Sequence, residues 1–361
     1  MHFYESSIIT TVDGLQCQVY SNEHPVSGIL VKPKYITTDR VESAALPYRF
    51  IGGKKMNRLN WWIDRAELRR YITRFQEAYP EYVFHGGPFS RERLFFIVPI
   101  GKIERVYYPR RGLTELMGMP QHALDEHLRT VSAFVQFVLG SGIPLKQIGV
   151  TYSTLMGHYF SSVSDINLVV YGKDSYRTLL AWLETAQHPS LRWKTDADWM
   201  QFYKGRNRFA IFTKDEFLRV MRRKKSEGYF NNTLFVLFCA EEEHEVWSPW
   251  GSESYEALGT ATVEGTVADD TNGSVRPGCY DITDSQLIAG PGNVPVKRVV
   301  FYSRDYCLLA RRGERIRACG LLEKVTPRDG GAYYRVAVGY FDAYISERRE
   351  KEYIKVLEGP T

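Results

Sequence analysis

Cysteine is scarce in this sequence, and long apolar runs are absent. The 361 residues contain five scattered cysteines and no CxxC pair, the cysteines being Cys17, Cys239, Cys279, Cys307 and Cys319. This pattern argues against a structural zinc site and against a disulfide framework, and it fits a reducing cytoplasm. No stretch approaches the roughly 20 apolar residues that a membrane-spanning helix needs. The first residues show no cationic leader before an apolar run, so we expect neither a signal peptide nor a membrane partner.

Positive charge is unevenly distributed along the chain. The formal net charge is +5, whereas residues 32–111 alone contain 17 Lys and Arg against 8 Asp and Glu. Such a basic region can attract phosphate backbones, although a soluble surface with surplus arginine would have the same composition. Four aromatic residues within it could stack on bases or could simply pack into a core; they are Trp61, Trp62, Tyr107 and Tyr108.

Hydrophobic patterns divide the chain into three predicted domains, 1–112, 113–250 and 251–361. The first is expected to be mixed α/β, with a strand at "GILVKPKYIT" and a helix at "IDRAELRRYITRFQEAYP". The second alternates amphipathic helices with the apolar strands "DINLVVYG" and "TLFVLFCA", as in an α/β layer. A helix that begins at Thr213 shows the spacing of a capping box with Glu216. The segment "YYPRRGLTELMGMPQ" is predicted to link the first two domains.

The third domain changes character. Five strand-like runs follow one another in about 90 residues, separated by Gly, Pro, Asn and Asp. This spacing predicts a small barrel or sandwich, and "GERIRACGLLEKV" has the rhythm of a strand in an OB-like barrel. A β-sandwich with no ligand remains the alternative. The predicted fold class is therefore α/β (α+β) and multidomain, with a C-terminal OB-like small β-barrel.

The segment "VTYSTLMGHYFSSVSDINLVVYG", residues 150–172, carries the strongest functional signal. It predicts a strand, a turn of small residues, a short helix, a loop and a second strand that opens with an acid. Acids two residues apart on a strand share one face and can hold Mg²⁺ together, because Mg²⁺ prefers hard oxygen ligands. A turn at a helix N-terminus offers backbone N–H groups to phosphates.

This segment resembles the active-site motif of the polymerase-beta-like nucleotidyltransferase superfamily, and more closely a group of archaeal proteins of unassigned role. The superfamily motif has a Gly-Ser or Gly-Gly turn, an acid-x-acid strand and a third acid on a later strand. The resemblance implies a nucleotidyltransferase-like central domain, in which Ser153 and Thr154 bind nucleotide and Asp165 is the first acid and metal ligand. Asn167 then stands at the second acid position. Similarity to the archaeal group extends to "EHPVSGILVKPKY" and "ARRGERIRACGLLEKV".

The departures from the motif predict a degenerate site. Asn167 keeps an oxygen but lacks the negative charge that Mg²⁺ needs, and Tyr152 stands where glycine lets backbone approach phosphate. The expected third strand, 235–239, contains no carboxylate, and Glu241–Glu243 lie just beyond it. Two structural readings compete: Asp165 could cap a turn, and Ser153 could be the N-cap of the short helix.

Other candidates concern cations and histidines. Six basic residues could contact nucleic acid, although those at the end of the 213–228 helix would also complement its dipole; they are Arg110, Arg111, Arg222, Arg223, Lys224 and Lys225. His122 and His127 lie five residues apart, a spacing that does not align them for a metal, and we expect both at the surface.

Three functions follow from the sequence. The first is a non-catalytic or weakly active nucleotidyltransferase relative that binds nucleotide or nucleic acid. The second is a working Mg²⁺-dependent nucleotidyltransferase acting on RNA, protein or a small molecule, which requires Asp165 and a carboxylate of Glu241–Glu243 to face one metal. Apart from Mg²⁺ no cofactor is implied. The third is a scaffold without ligand, in which basic and aromatic residues lie in domain interfaces.

Overall fold

Three β-sheets follow one another along the chain and pack around a shared centre. The computed structural model describes residues 1–161, 163–204 and 211–358. The protein is mixed α/β. Within those ranges, every helix is too short or too polar to cross a membrane. All five cysteines are free thiols.

The N-terminal sheet is antiparallel. Its strand order is β4-β5-β3-β2-β1-β8. Strand β7 also pairs with β3, and β6 pairs with β7. The bounds are β1 (Ile8–Thr11), β2 (Gln16–Val19), β3 (Gly28–Thr37), β4 (Tyr48–Ile51), β5 (Lys54–Arg58), β6 (Val83–Phe84), β7 (Phe95–Pro99) and β8 (Ile103–Tyr107). Helix α1 (Arg65–Ala78) covers it. Asp64 caps this helix by accepting the N–H groups of Ala66 and Glu67, and Leu68, Ile72 and Phe75 form its buried face.

The central sheet has the order β11-β12-β13-β10-β9. Its strands are β9 (Ile148–Val150), β10 (Ile166–Tyr171), β11 (Leu191–Trp193), β12 (Glu227–Phe230) and β13 (Thr233–Ala240). Its helices are α2 (Pro109–Met117), α3 (Glu126–Leu139), α4 (Tyr152–Met156), α5 (Lys173–Thr185), α6 (Asp196–Lys204) and α7 (Lys214–Met221). Strands β10 and β13 are parallel, and the other pairs are antiparallel. The alternation of helix and apolar strand thus forms the predicted α/β layer.

The C-terminal sheet closes into a ring. Its strands are β14 (Glu253–Asp269), β15 (Gly278–Ala289), β16 (Val296–Phe301), β17 (Arg315–Pro327) and β18 (Tyr333–Val338), followed by α8 (Phe341–Tyr344), α9 (Arg348–Lys351) and β19 (Tyr353–Glu358). The order is β14-β15-β16-β18-β17, and β14 also pairs with β17, which closes the ring. All five predicted strands are confirmed, and the ring excludes the sandwich alternative.

The hydrophobic cores cross the boundaries between the sheets. One core joins the N-terminal sheet to the outer face of the ring, where Cys279, Val300 and Ala337 pack against it. A second fills the ring and takes in Trp199 of α6 and Phe217 of α7. A third lies between the central sheet and its helices α3 and α5. These shared cores join the three sheets into one body, and residues of different sheets meet at its centre.

Local predictions hold at several elements and fail at one. Strands β3 and β13 have the predicted bounds, and α7 begins with the predicted capping box between Thr213 and Glu216. The predicted linker is wrong, because most of it forms α2, which packs on β9 across the 112/113 boundary. Pro109 begins this helix without strain, since proline is tolerated in the first turn.

Candidate functional site at the centre of three sheets

A cavity of about 350 Å³ lies where the three sheets meet. Its floor is the face of β13 that carries Leu234, Val236 and Phe238, and Asp165 at the start of β10 lines the same cavity. Glu5 enters it from the N-terminal segment, and Arg276 and Arg304 enter it from loops of the ring. The remaining polar lining includes Lys194, Lys224, Ser226, Glu227 and Asp305.

Asp165 is a partly buried carboxylate without a direct counter-charge. In the part of the chain that the structure describes, no cation lies within salt-bridge distance of it. Burial raises the pKa of its carboxyl, while the charges of Arg58 and Lys194 oppose that shift and Glu227 adds to it. Among the described residues, its carboxylate also accepts no hydrogen bond that would explain it as the cap of a turn.

Asn167 lies on the same sheet face, two residues further along β10. Its side chain is 7% exposed, and its amide donates a hydrogen bond to the backbone carbonyl of Asp165 at 3.3 Å. Asn167 pairs with Val236, which in turn pairs with Glu227 of β12. At roughly 4.8 Å between strands, Asn167 and Glu227 are about 10 Å apart on one face. Glu227 forms an ion pair with Lys194.

Tyr152 has a backbone conformation that favours glycine. Its φ is +56°, in the left-handed region that β-carbon-bearing residues rarely adopt. The ring lies 4.0 Å from Nζ of Lys34, and the hydroxyl accepts a hydrogen bond from Arg304 at 2.9 Å. The tyrosine therefore fills the space beside the turn and links it to the ring-shaped sheet.

Ser153 and Thr154 have different surroundings. The N-cap of α4 is Thr151, so Ser153 lies inside the helix and the interpretation of it as an N-cap is wrong. Thr154 is 8% exposed, and its hydroxyl is hydrogen-bonded to Nε2 of His127 at 2.9 Å. The surface position expected for His127 is also wrong, because Tyr159 stacks on its ring at 4.6 Å and leaves it 1% exposed. His122 is exposed as predicted.

A buried charge cluster joins the N-terminal segment to the ring. Glu5, 1% exposed, contacts Arg276 at 2.5 Å and Arg304 at 2.8 Å through the same oxygen, Oε1. Its other oxygen, Oε2, is buried and has no hydrogen-bond donor among the residues that the structure describes. Arg304 also donates to Ser6 at 2.6 Å. This cluster forms one wall of the cavity.

Lys224 brings a second uncompensated charge to the cavity. It is 9% exposed, and within residues 1–161, 163–204 and 211–358 it has no ion-pair partner. Burial lowers the pKa of its ammonium group, and the charge of Glu227 opposes that shift. Lys224 and Asp165 line the same cavity, but they do not neutralise each other.

Glu241–Glu243 lie at the opposite end of the central sheet from Asp165. Phe235 pairs with Ile166, so Glu241 is six residues further along β13; at roughly 3.3 Å per residue, that is about 20 Å away. Glu241 contacts Lys173 at 3.0 Å, and Glu242 pairs with Arg110. The structure therefore does not bring Asp165 and these glutamates to one metal. No group of three metal-ligating side chains occurs among the described residues.

The other basic residues predicted to contact nucleic acid each have a partner within the described part of the chain. Arg110 lies against the Tyr171 ring at 3.8 Å and pairs with Glu242, whereas Arg111 pairs with Glu115 four residues along its own helix. The residues that follow α7 also have partners. Arg222 pairs with Asp196, Arg223 pairs with Glu314, and Lys225 contacts the Trp193 ring.

The four aromatic residues of the basic region are divided between core and surface. Trp61 is 3% exposed and packs against Phe96 and Phe341. Trp62 and Tyr107 are half-buried, whereas Tyr108 is 46% exposed. Core packing thus accounts for Trp61.

Comparisons with known proteins give one relative of unassigned role. The chain is 27% identical over 350 residues to the uncharacterized protein MJ1086 of Methanocaldococcus jannaschii, a match that covers 94% of this chain and 98% of that protein. No protein-family model matches the chain. No solved structure matches it either.

The cavity contains several residues that the sequence did not indicate. Glu5, Arg276 and Arg304 come from positions up to 299 residues apart and carry no motif. Lys194 and Glu227 could have been found only from the pairing of β11 with β12 and of β12 with β13.

Proposed function

We propose that the chain is a nucleotidyltransferase-like protein with a degenerate metal site and that its central cavity binds a nucleotide. The observation that carries the proposal is the pair of uncompensated charges, Asp165 and Lys224, on one cavity. Buried charges without partners are costly. A ligand that offers phosphate to Lys224 and hydroxyl or amino groups to Asp165 would relieve both costs, and a nucleotide offers both.

The cavity has the size and the apolar surface for such a ligand. Its volume of about 350 Å³ falls within the roughly 300–1,000 Å³ of small-molecule pockets. Val236 and Phe238 form an apolar floor, and Trp199 and Phe202 also line it. A nucleobase can be desolvated against such walls, whereas an inorganic ion would leave them unused.

Catalysis is the weaker part of the resemblance. Asn167 stands in place of an acid. Glu227, about 10 Å away on the same face, is the one carboxylate on the described strands of the central sheet, and Lys194 already neutralises it. Mg²⁺ would find one free carboxylate here, where in-line phosphoryl transfer is assisted by metal ions clamped between acids. We therefore propose binding with little or no nucleotidyl transfer. Mg²⁺-dependent transfer is the alternative that the experiment below examines.

We confine the proposal to nucleotides and exclude nucleic acid, because of how the ring is packed. The ring's strand order supports its interpretation as an OB-like barrel. Such barrels bind oligonucleotides on the face of their second and third strands. Here those strands are β15 and β16, whose Cys279 and Val300 pack into the core shared with the N-terminal sheet. That face is therefore covered.

A scaffold without ligand is the second candidate. It is favoured by the position of Arg276 and Arg304, which pair with Glu5 between the N-terminal segment and the ring and not along an exposed groove. On this hypothesis the uncompensated charges of the cavity are tolerated by hydration. The two candidates differ in one outcome, nucleotide binding.

The test is a calorimetric titration with ATP, GTP, CTP and UTP, each with Mg²⁺ or Mn²⁺. The native chain should bind at least one nucleotide, and Asp165→Ala should weaken that binding at least tenfold. Asp174→Ala, which removes an aspartate whose side chain is 92% exposed on α5, is the matched control and should bind as the native chain does. Asn167→Asp should strengthen metal-dependent binding by restoring the second acid. Binding that Asp165→Ala leaves unchanged would contradict the proposal, and absence of binding in all variants would favour the scaffold.

A further inference from the structure

A second cleft, of about 460 Å³, opens in the N-terminal sheet beside Lys34. It is lined by residues of β2, β3 and β5 and by the segment that follows β5. Three of its lining residues are cations, Lys32, Lys34 and Arg58, and the part of the chain that the structure describes contributes no acidic residue to it. The described lining of the cleft therefore carries positive charge and no negative charge.

Two buried donors at this cleft have no acceptor. Gln18 is 7% exposed, and its side-chain nitrogen Nε2 makes no hydrogen bond within the described ranges. The indole N–H of Trp61, 3% exposed, is likewise without an acceptor there. Buried donors are almost always satisfied, since a buried donor that makes no hydrogen bond has lost its contact with water without replacement. The cleft thus has an excess of donors as well as of positive charge.

Lys34 also has no carboxylate partner in the described residues. Its Nζ faces the Tyr152 ring, and burial, followed by the charge of Arg58, lowers the pKa of this amine to about 7. The charge of Asp165 acts in the opposite direction but does not cancel the shift. An anion in the cleft would favour the charged form of Lys34.

We propose that this cleft is a binding site for the phosphate group of a phosphorylated ligand, with Lys34 and Arg58 supplying charge and Gln18 a hydrogen bond. A phosphate monoester carries roughly −1.5 to −2 at pH 7 and is rich in acceptors. It therefore matches three cations and two unsatisfied donors better than a single carboxylate does. The cleft and the nucleotide cavity share no lining residue, although the charge of Asp165 reaches Lys34, and the proposal does not rest on the function proposed for the cavity.

The test is a calorimetric titration of the native chain with inorganic phosphate and, separately, with AMP. Lys34→Met should weaken binding at least tenfold, and Gln18→Met should weaken it severalfold by removing the donor while keeping the volume. Lys54→Met is the matched control, because Lys54 is an exposed lysine on the neighbouring β5 turn. Binding of phosphate itself identifies a general oxyanion site, whereas binding of AMP alone, with the same loss in Lys34→Met, identifies a site for a larger phosphorylated molecule.

Proton uptake gives a second readout that mere misfolding would not reproduce. The charged and titratable groups around Lys34 are Arg58, Asp165, Arg304 and His158. At pH 8 Lys34 is mostly neutral, so phosphate binding should take up as much as about one proton, measured as a dependence of binding heat on buffer ionisation. Lys34→Met should abolish this uptake, and the control Lys54→Met should not. Absence of phosphate and AMP binding, or equal affinity in Lys34→Met, would overturn the proposal.

Discussion

Glu5→Gln is the substitution that most directly perturbs the wall between the N-terminal segment and the ring. Glu5 neutralises two arginines through one oxygen, and both Glu5 and Arg276 are less than 5% exposed. Glutamine keeps the volume but removes the charge, which leaves Arg276 and Arg304 buried beside each other without a carboxylate. Breaking a buried pair in this way costs about 3–5 kcal/mol.

Denaturant unfolding, followed by both tryptophan fluorescence and circular dichroism, measures this cost. Glu5→Gln should lower the free energy of unfolding by about 3–5 kcal/mol. Glu104→Gln is the matched control: Glu104 is exposed and should change it by less than about 0.5 kcal/mol. If Glu5→Gln were as stable as this control, the charge cluster would not hold the N-terminal segment to the ring, and the cavity would lack its proposed rigid wall.

Two further predictions concern stability alone. His24 accepts a hydrogen bond from the backbone N–H of Leu30 at 3.0 Å, and burial lowers the pKa of its imidazole to about 3, below the ordinary 6.5. Below pH 6.5 the unfolded chain therefore binds more protons than the folded chain does. The free energy of unfolding should fall from pH 6.5 towards pH 3 by up to roughly 1.4 kcal/mol per pH unit. Unfolding of His24→Gln at pH 7 and 5 should lack this component, and an unchanged pH dependence would refute it. Arg335→Met removes the ion-pair partner of Glu323, which is 0% exposed, and should lower the free energy of unfolding by about 3–5 kcal/mol. Arg317→Met, which removes one partner of a half-exposed ion pair, should lower it by less than about 1 kcal/mol in the same unfolding assay.

Local sequence patterns predicted the elements whose neighbours are close in sequence. Strand β13 is a continuous apolar run because it lies inside a covered sheet, and α7 follows from the capping box of Thr213. Helix α2 was missed because Pro109 and Gly112 indicate a loop. Gly112 instead permits close packing, since a β-carbon there would lie 2.3 Å from Leu155.

The candidate site could be predicted only in part, because its groups come from three sheets. The predicted strand "DINLVVYG" is present as β10, with Asp165 immediately before it and Asn167 within it, and Tyr152 has a positive φ that favours glycine. Strand pairing decided the rest: the parallel register of β10 and β13 separates Asp165 from Glu241, and no local pattern encodes that register. The second cleft was equally hidden, because an unsatisfied donor such as Gln18 is visible only once its surroundings are known.

Two adjacent lysines provide the most direct test of nucleotide binding in the central cavity. Lys224 lines the cavity and has no ion-pair partner among the residues that the structure describes, whereas Lys225 lies 4.6 Å from the centroid of the Trp193 ring. Lys224→Met and Lys225→Met change the net charge equally, so a calorimetric titration with the nucleotide that the native chain binds separates position from charge. Affinity should fall at least tenfold in Lys224→Met and remain near the native value in Lys225→Met. An equal fall in both variants, or in neither, would contradict nucleotide binding at this site.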